Sequence, residues 1–343
     1  MNILFIMYPW EQVEPSNDST ICMINECALR GHRVATTTNS NLTIRDSNTM
    51  AFCNVLQRSE KVSKSMPTFH KNAKFKEQML PLAGFDVIFM RANPPLDNIV
   101  LNFLDSVKND VFIVNNVEGL REANNKVYTA AFNDPNNEIV PKTYVSKNKN
   151  YLKEIIQESD AERMIMKPLN GYGGSGVIVL EKGATHNISS LLDFYIQGKQ
   201  GESNYVIVQE YVPGAEKGDV RVLMLHGEPI GAMRRVPAAG DARSNVSAGG
   251  HVEKHTLTKA ERKLCKTVGE KLVQDGLYFV GLDLIGGKLI EVNVLSPGGI
   301  SYINKLHKTR LQTKVIDYVE DVVKYRQAAT NRRLEFRKAV ENA

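Results

Sequence analysis

Residues 281–294 read GLDLIGGKLIEVNV. Two apolar runs flank Gly286-Gly287, the pattern of a β-hairpin. Asp283, Glu291 and Asn293 interrupt those runs with oxygen-bearing side chains. Side chains alternate along a strand, so Glu291 and Asn293 share a face. A two-residue Gly-Gly turn would pair Asp283 with Ile290 and put it on the other face. A three-residue loop, Gly286-Gly287-Lys288, pairs it with Glu291, and that loop is the expectation. Two carboxylates facing each other across a hairpin repel, and a divalent cation reverses the sign. Two carboxylates and a carboxamide suit a hard ion, Mg²⁺ (or Mn²⁺), which keeps waters and takes phosphate oxygens as further ligands. A solvated polar face is the plainer alternative, but LDLI and LIEVNV are too apolar to favour it.

Upstream, LNGYGGSGV (169–177) places four glycines between two apolar strands. Such a loop lets backbone N–H groups approach a phosphate. It lacks the Lys-Ser/Thr closure of a Walker loop, and a strand follows it rather than the helix of a dinucleotide fingerprint. Lys167 ends the preceding strand among apolar neighbours, where an ammonium is costly unless it meets an anion. Lys126 is a second candidate, on the helix after Arg121. Arg221, Arg234, Arg235 and Arg243 fall between loop and hairpin. Glycine loop, lysines and oxygen ladder together describe a nucleotide triphosphate site.

The 343 residues are 42% hydrophobic and 24% charged, with a net charge of +5. That is enough chain for two or three domains. The mild basicity argues against nucleic acid and suits anionic small molecules. Cys22, Cys27, Cys53 and Cys265 form no CxxC pair, so reduced thiols in a cytoplasmic protein are expected. MNILFIMYPW reads as a first core strand rather than a signal peptide, and no apolar run is long enough for a membrane span.

Alternating strands and helices over about the first 115 residues, from NILFIMY to DVFIVNN, indicate an α/β class with an open, parallel N-terminal sheet. Residues 40–80 are poorly periodic, with one helix expected. EGLREANNKVYTAAF reads as one helix. DVRVLMLHGEPIGAMRRV reads as a hairpin turning at His226-Gly227. PAAGDARSNVSAGGH reads as a mobile loop. A last helix is expected from about 312 to 326, followed by a basic helix or frayed tail.

The order MKPLNGYGGSGV, VQEYVPG, GDVRVL, RRVPAAGDARSNVSAGG, GLDLIGGKLIEVNVLSP resembles the ATP-grasp ligases, and more closely the bacterial glutathione synthetases. The likeness extends to DST (18–20), LPLAGFDVIFMRANPPLD (80–97) and VNNVEGLREANNKVYTAAF (114–132). It implies an N-terminal pre-ATP-grasp domain (1–120), a central subdomain with a small lid (121–203) and a C-terminal subdomain (204–326). The last carries a large lid (237–251), and a basic tail (327–343) follows. It implies ATP-dependent ligation of γ-glutamylcysteine to glycine through an acyl phosphate, giving glutathione, ADP and phosphate, in a homotetramer. By position, Lys126 and Lys167 contact the ATP phosphates. Gly171, Gly173, Gly174, Ser175 and Gly176 form the small lid. Glu210, Tyr211 and Val212 meet adenine, with Asp219 near the ribose. Arg221, Arg235 and Arg243 face the acyl phosphate or peptide carboxylates, and Asp283, Glu291 and Asn293 hold the metal.

Such chemistry needs positioning and charge neutralisation more than a protein nucleophile. One segment departs from the family pattern: NVLSPGGI lacks a threonine on either side of Ser-Pro, and Ala92-Asn93 are less polar than expected. The acceptor amine is therefore open between glycine and another amino acid or peptide. A non-ligating ATP-binding protein and a small-molecule kinase are the remaining alternatives.

Overall fold

The computed structural model describes residues 1–169, 176–181, 187–197, 203–238 and 249–343. The chain forms two compact units. One comprises Met1–Arg121, Val273–Phe279 and Leu295–Ala343; the other comprises Glu122–Leu272 and Val280–Val294.

The first unit opens with β1 (Asn2–Met7), α1 (Ser19–Leu29) and β2 (Arg33–Thr37). Asp18 starts α1 by accepting the Ile21 N–H at 2.7 Å, a side-chain cap that satisfies an otherwise orphan donor. Then come β3 (Leu42–Arg45), β4 (Asn48–Leu56), α2 (Met66–Asn72), β5 (Phe75–Pro81), β6 (Val87–Arg91), α3 (Asn98–Asp105) and β7 (Phe112–Val114). Strand order is β3-β4-β2-β1-β6-β7, with β5 on β4. Strands β2, β1, β6 and β7 run parallel, as the alternation predicts. The region without clear period contributes one helix and three antiparallel strands. Strand β5 reads FKEQMLP and is largely exposed, so it lacks the apolar run that marks a buried strand.

The expected single helix at 118–132 is two: α4 (Val117–Ala123) and α5 (Val127–Ala130). Asn124-Asn125 lie at the break, and the Asn125 side chain accepts from Val127 N, a local turn bond that competes with the helix. Lys126 is therefore the residue before α5 rather than mid-helix.

The second unit continues with β8 (Thr143–Ser146), α6 (Lys149–Glu158), β9 (Arg163–Pro168), β10 (Ile178–Glu181), α7 (Ile188–Ile196) and β11 (Val206–Glu210). These strands form a four-stranded sheet, β10-β9-β11-β8. Leu152, Ile156, Met166, Leu192 and Val208 are among the residues of its core with α6 and α7. A second sheet, in the order β14-β13-β12-β15-β16, uses β12 (Asp219–Leu225), β13 (Glu228–Val236), β14 (His251–Lys254), β15 (Phe279–Ile285) and β16 (Lys288–Asn293). Helix α8 (Lys259–Gln274) lies between β14 and β15 in sequence.

Both hairpins of this sheet turn on two residues with positive φ, His226-Gly227 and Gly286-Gly287, which is the backbone of a type I′ turn. The three-residue loop expected at Gly286 is thus not what the chain adopts. Ile285 pairs with Lys288 and Leu284 with Leu289; then Ile290 is skipped and Asp283 pairs with Glu291. A β-bulge at Ile290, not a longer turn, shifts the register by the one residue that brings the two acids face to face. The other hairpin skips Ile230 in the same way.

The chain ends in the first unit with α9 (Ile300–His307) and α10 (Leu311–Glu341). Helix α10 runs past residue 326, and its exposed end carries an Arg337–Glu341 pair at 2.7 Å. Its buried start is tied to α1 through Arg30–Asp317 (2.7 Å) and His32–Glu320 (2.7 Å).

Gly269 on α8 lets that helix approach the first hairpin turn: a Cβ there would lie 2.0 Å from the Gly227 carbonyl oxygen. Gly269→Ala is expected to destabilise the protein by about 1–3 kcal/mol through overpacking. In thermal unfolding, Gly84→Ala, whose Cβ would meet only Pro81 Cγ at 3.6 Å, serves as the neutral control.

Candidate active site

The second unit brings together most of the residues singled out in the sequence. Strands β12 and β13 pair Asp219 directly with Arg235, and Arg221, two residues along β12, shares their face. Arg235 donates to Asp219 from Nε (2.6 Å) and Nη2 (2.7 Å). Arg221 donates to Asp283 from Nε (2.5 Å) and Nη2 (3.0 Å). Arg235 Nη2 also lies 3.0 Å from Asp283 Oδ1, and Asn293 Nδ2 donates to Asp283 Oδ2 at 3.1 Å. All four ionic groups are buried. Burial alone would raise the Asp283 carboxyl, but Arg221 and Arg235 overcome it and hold the group at about 2. A depressed carboxyl stabilises the fold above the ordinary value of 3.8, and that contribution is lost as pH falls toward 2.

Glu291 faces Asp283 across the hairpin. Its carboxylate pairs with Lys126 Nζ at 3.3 Å. Lys167 is 7% exposed and donates to Gln209 Oε1 at 3.0 Å, while Gln209 Nε2 donates to Thr143 Oγ1 at 2.7 Å. Lys167 pairs with Ile207 across β9 and β11, which makes Gln209 its diagonal neighbour on the same face. Burial lowers the Lys167 ammonium from 10.5 to about 8; Glu291 opposes the shift and Lys126 adds to it. A narrow cleft is lined by Lys126, Lys167, Gln209, Thr129, Val140 and Ile290, among others.

Beside the hairpin, a Cβ on Gly286 would come within 2.8 Å of Val212 Cγ1, so only glycine lets the turn meet the end of β11. There the Glu210 and Tyr211 N–H groups are already donated, to Lys142 O (3.0 Å) and Arg163 O (3.2 Å). The Arg163 guanidinium lies 4.2 Å from the centroid of the Tyr211 ring. Gly176 has φ of +71° and its carbonyl accepts from the Tyr195 hydroxyl at 2.6 Å.

Asp219, expected near a ribose, accepts both bonds of the Arg235 fork. Arg234 is half-buried on the opposite face from Arg235. Gly171, Gly173, Gly174, Ser175 and Arg243 lie outside the described residues. Gln209 is the residue the sequence reading passed over. Its signal was a carboxamide inside the apolar run VIVQE, which a buried strand position allows only with partners. Among the described residues there is no cluster of three or more His, Cys, Asp or Glu side chains fit for a metal. The candidate set is two carboxylates and an amide.

Over nearly the full chain the fold is that of D-cycloserine synthetase DcsG (TM-score 0.63, 13% identity, covering 94% of this chain and 99% of that one). It is also that of D-alanyl-alanine synthetase A from Vibrio cholerae O1 biovar eltor (TM-score 0.58, 12% identity, 94% and 98%). With a four-stranded and a five-stranded sheet in the second unit, the chain has the ATP-grasp fold. The family models for the N-terminal domain and the ATP-grasp domain of prokaryotic glutathione synthetase match residues 1–121 and 125–308. Glutathione synthetases of Nostoc sp. and Thermosynechococcus vestitus are each 35% identical, over 93% of this chain and 98% or 99% of theirs. The chain belongs to the prokaryotic glutathione synthetase family.

Lys167 must be protonated to meet a phosphate, and its depressed value puts deprotonation near pH 8 in the free protein. ATP affinity measured by titration calorimetry is expected to fall as pH rises through 8. Lys167→Arg, whose guanidinium stays charged, should flatten that limb. The same sign makes Lys167 a cost to folding below pH 8 that is relieved between 8 and 10.5.

Proposed function

We propose that the protein joins γ-glutamylcysteine to glycine with ATP, releasing glutathione, ADP and phosphate. The observation that carries this reading is the convergence, in one unit, of Lys126, Lys167, Arg221, Arg235 and the Asp283–Glu291–Asn293 set. Lys126 and Lys167 neutralise the triphosphate, with Gln209 fixing the Lys167 ammonium. Glu210, Tyr211 and Val212, at the end of β11, form the edge that meets adenine in this reading. Arg221 and Arg235 stabilise the negative charge that develops as the cysteinyl carboxylate is phosphorylated and the amine attacks. Asp219 holds the Arg235 fork in place.

The hard oxygen donors suit Mg²⁺ (or Mn²⁺), and Asp283, Glu291 and Asn293 are the residues that would hold it. When bound, such an ion neutralises phosphate charge and orients the triphosphate for transfer. Asp283 already accepts four hydrogen bonds, which fills its acceptor sites. Coordination at Asp283 therefore displaces a guanidinium contact. Arg235 can give one up because Asp219 still grips it through two bonds. Gly171 to Gly176 and Arg243 serve as lid residues in this reading. The three-domain plan with its basic tail, a homotetramer and a cytoplasmic location belong to the same proposal. The four buried free cysteines suit a reducing compartment.

A different acceptor is favoured by one observation. Leu295 is buried at 6% exposure and Gly298-Gly299 follow it, where hydroxyl-bearing residues were expected. The test is mass spectrometry of the product after incubation with ATP, Mg²⁺, γ-glutamylcysteine and a mixed amino-acid pool. The expected product is γ-glutamylcysteinylglycine. A product carrying another amine overturns the glycine assignment, and ADP formation without any amine overturns ligation.

A further inference from the structure

Between α5 and β8, residues 134–142 form neither helix nor strand. Their backbone is gathered around one carboxylate. Asp134 Oδ1 accepts from the Glu138 N–H, and Oδ2 accepts from the Ile139 and Val140 N–H groups, each at 2.8 Å. Asn137 sits at the turn with φ of +51°, a left-handed conformation that asparagine visits more readily than most residues. Its N–H returns to the Asp134 carbonyl at 2.9 Å. The carbonyls of Asn137 and Glu138 both accept from the Lys288 ammonium, Glu138 at 3.0 Å. A carboxylate gripped by amides and an ammonium gripped by carbonyls are charge-assisted contacts, stronger than the neutral bonds of an ordinary loop.

Lys288 is the first residue of β16, the outer strand of the five-stranded sheet. An outer strand presents unpaired backbone N–H groups. Here the Leu289 N–H donates to Ile139 O at 2.7 Å. Residues 134–142 therefore hold β16 at the two positions just before the bulge at Ile290 and the carboxylate of Glu291. At the other end, the Lys142 carbonyl accepts from the Glu210 N–H at 3.0 Å, where β11 finishes. Between these anchors, Val140 lines the cleft that Lys126, Lys167, Gln209 and Ile290 also line. One short strap is bonded to the oxygen ladder at one end and to the end of β11 at the other.

We propose that Asp134 and Lys288 are positioning residues for the nucleotide and metal site. The strap they tie fixes β16, and with it the Glu291 carboxylate that stands 3.3 Å from Lys126 Nζ. Neither residue touches a substrate; both act through Glu291. This rests on the nucleotide and metal part of the proposed function and is independent of which amine is joined.

The experiment uses the full chain, with Mn²⁺ and ADP as probes, and compares Lys288→Met, Lys288→Arg and Asp134→Asn with the wild type. Hydrogen exchange of the ligand-free proteins reads the strap, and Mn²⁺ binding in the presence of ADP reads the site. Lys288→Met is expected to speed exchange in both 134–142 and 286–293. It should weaken Mn²⁺ binding by about tenfold, as for the loss of a group that orients a metal ligand. Lys288→Arg, whose fork can serve two carbonyls, should recover most of that affinity. Asp134→Asn leaves one side-chain acceptor oxygen for three N–H groups. It should shift both readings in the same direction, and it tests the strap independently should Lys288→Met not fold. Gly269→Ala, which disturbs α8 instead, should lower the melting temperature without moving Mn²⁺ affinity. Mn²⁺ affinity unchanged in Lys288→Met and Asp134→Asn, with only their melting temperatures lowered, overturns the positioning role. A wild type that binds no Mn²⁺ with ADP overturns the metal reading, and this inference with it.

Discussion

Four buried ionic side chains, Asp219, Arg235, Asp283 and Arg221, hold one another on a single face of the second unit's five-stranded sheet. Each alone would be a buried charge at a cost of several kcal/mol, and each is tolerable because the next lies within hydrogen-bond reach. The network holds the Asp283 carboxyl well below the usual carboxylate range, so a cation arriving there meets an anion and has to displace one guanidinium contact. It also orders two guanidinium groups beside it. Electrostatic preorganisation of this kind costs no rearrangement when charge develops in a transition state.

The network depends on a backbone defect. Without the bulge at Ile290, the Gly286-Gly287 turn would set Asp283 against Ile290 and turn it to the opposite face. The sequence reading reached the correct pairing of Asp283 with Glu291 through the wrong turn. Face alternation and apolar neighbours signalled that the acids belong together, but a bulge has no residue signature as plain as a glycine pair. Lys126 was legible as a candidate, though its place at a break between helices rests on the local hydrogen bond of Asn125. Gln209 and the Asp219 clamp were not legible as such. Their roles follow from diagonal and direct partners on neighbouring strands, which a single strand's pattern does not name. Strand β5 was missed because it is an exposed strand without an apolar run. The glycine loop and Arg243 fall outside the described residues, so their roles rest on sequence and family.

The two departures from the family pattern meet at one place in the first unit. Arg91 precedes Ala92-Asn93, and its Nη2 holds the carbonyl of Pro297, beside Gly298-Gly299.

Binding of Mn²⁺ with ADP, followed by electron paramagnetic resonance of the free ion, tests the oxygen ladder most directly. The account predicts one tightly held ion in the wild type and at least about tenfold weaker binding in both Asp283→Asn and Glu291→Gln, in line with the loss of a ligand from a metal site. Metal affinity unchanged in both variants would contradict it.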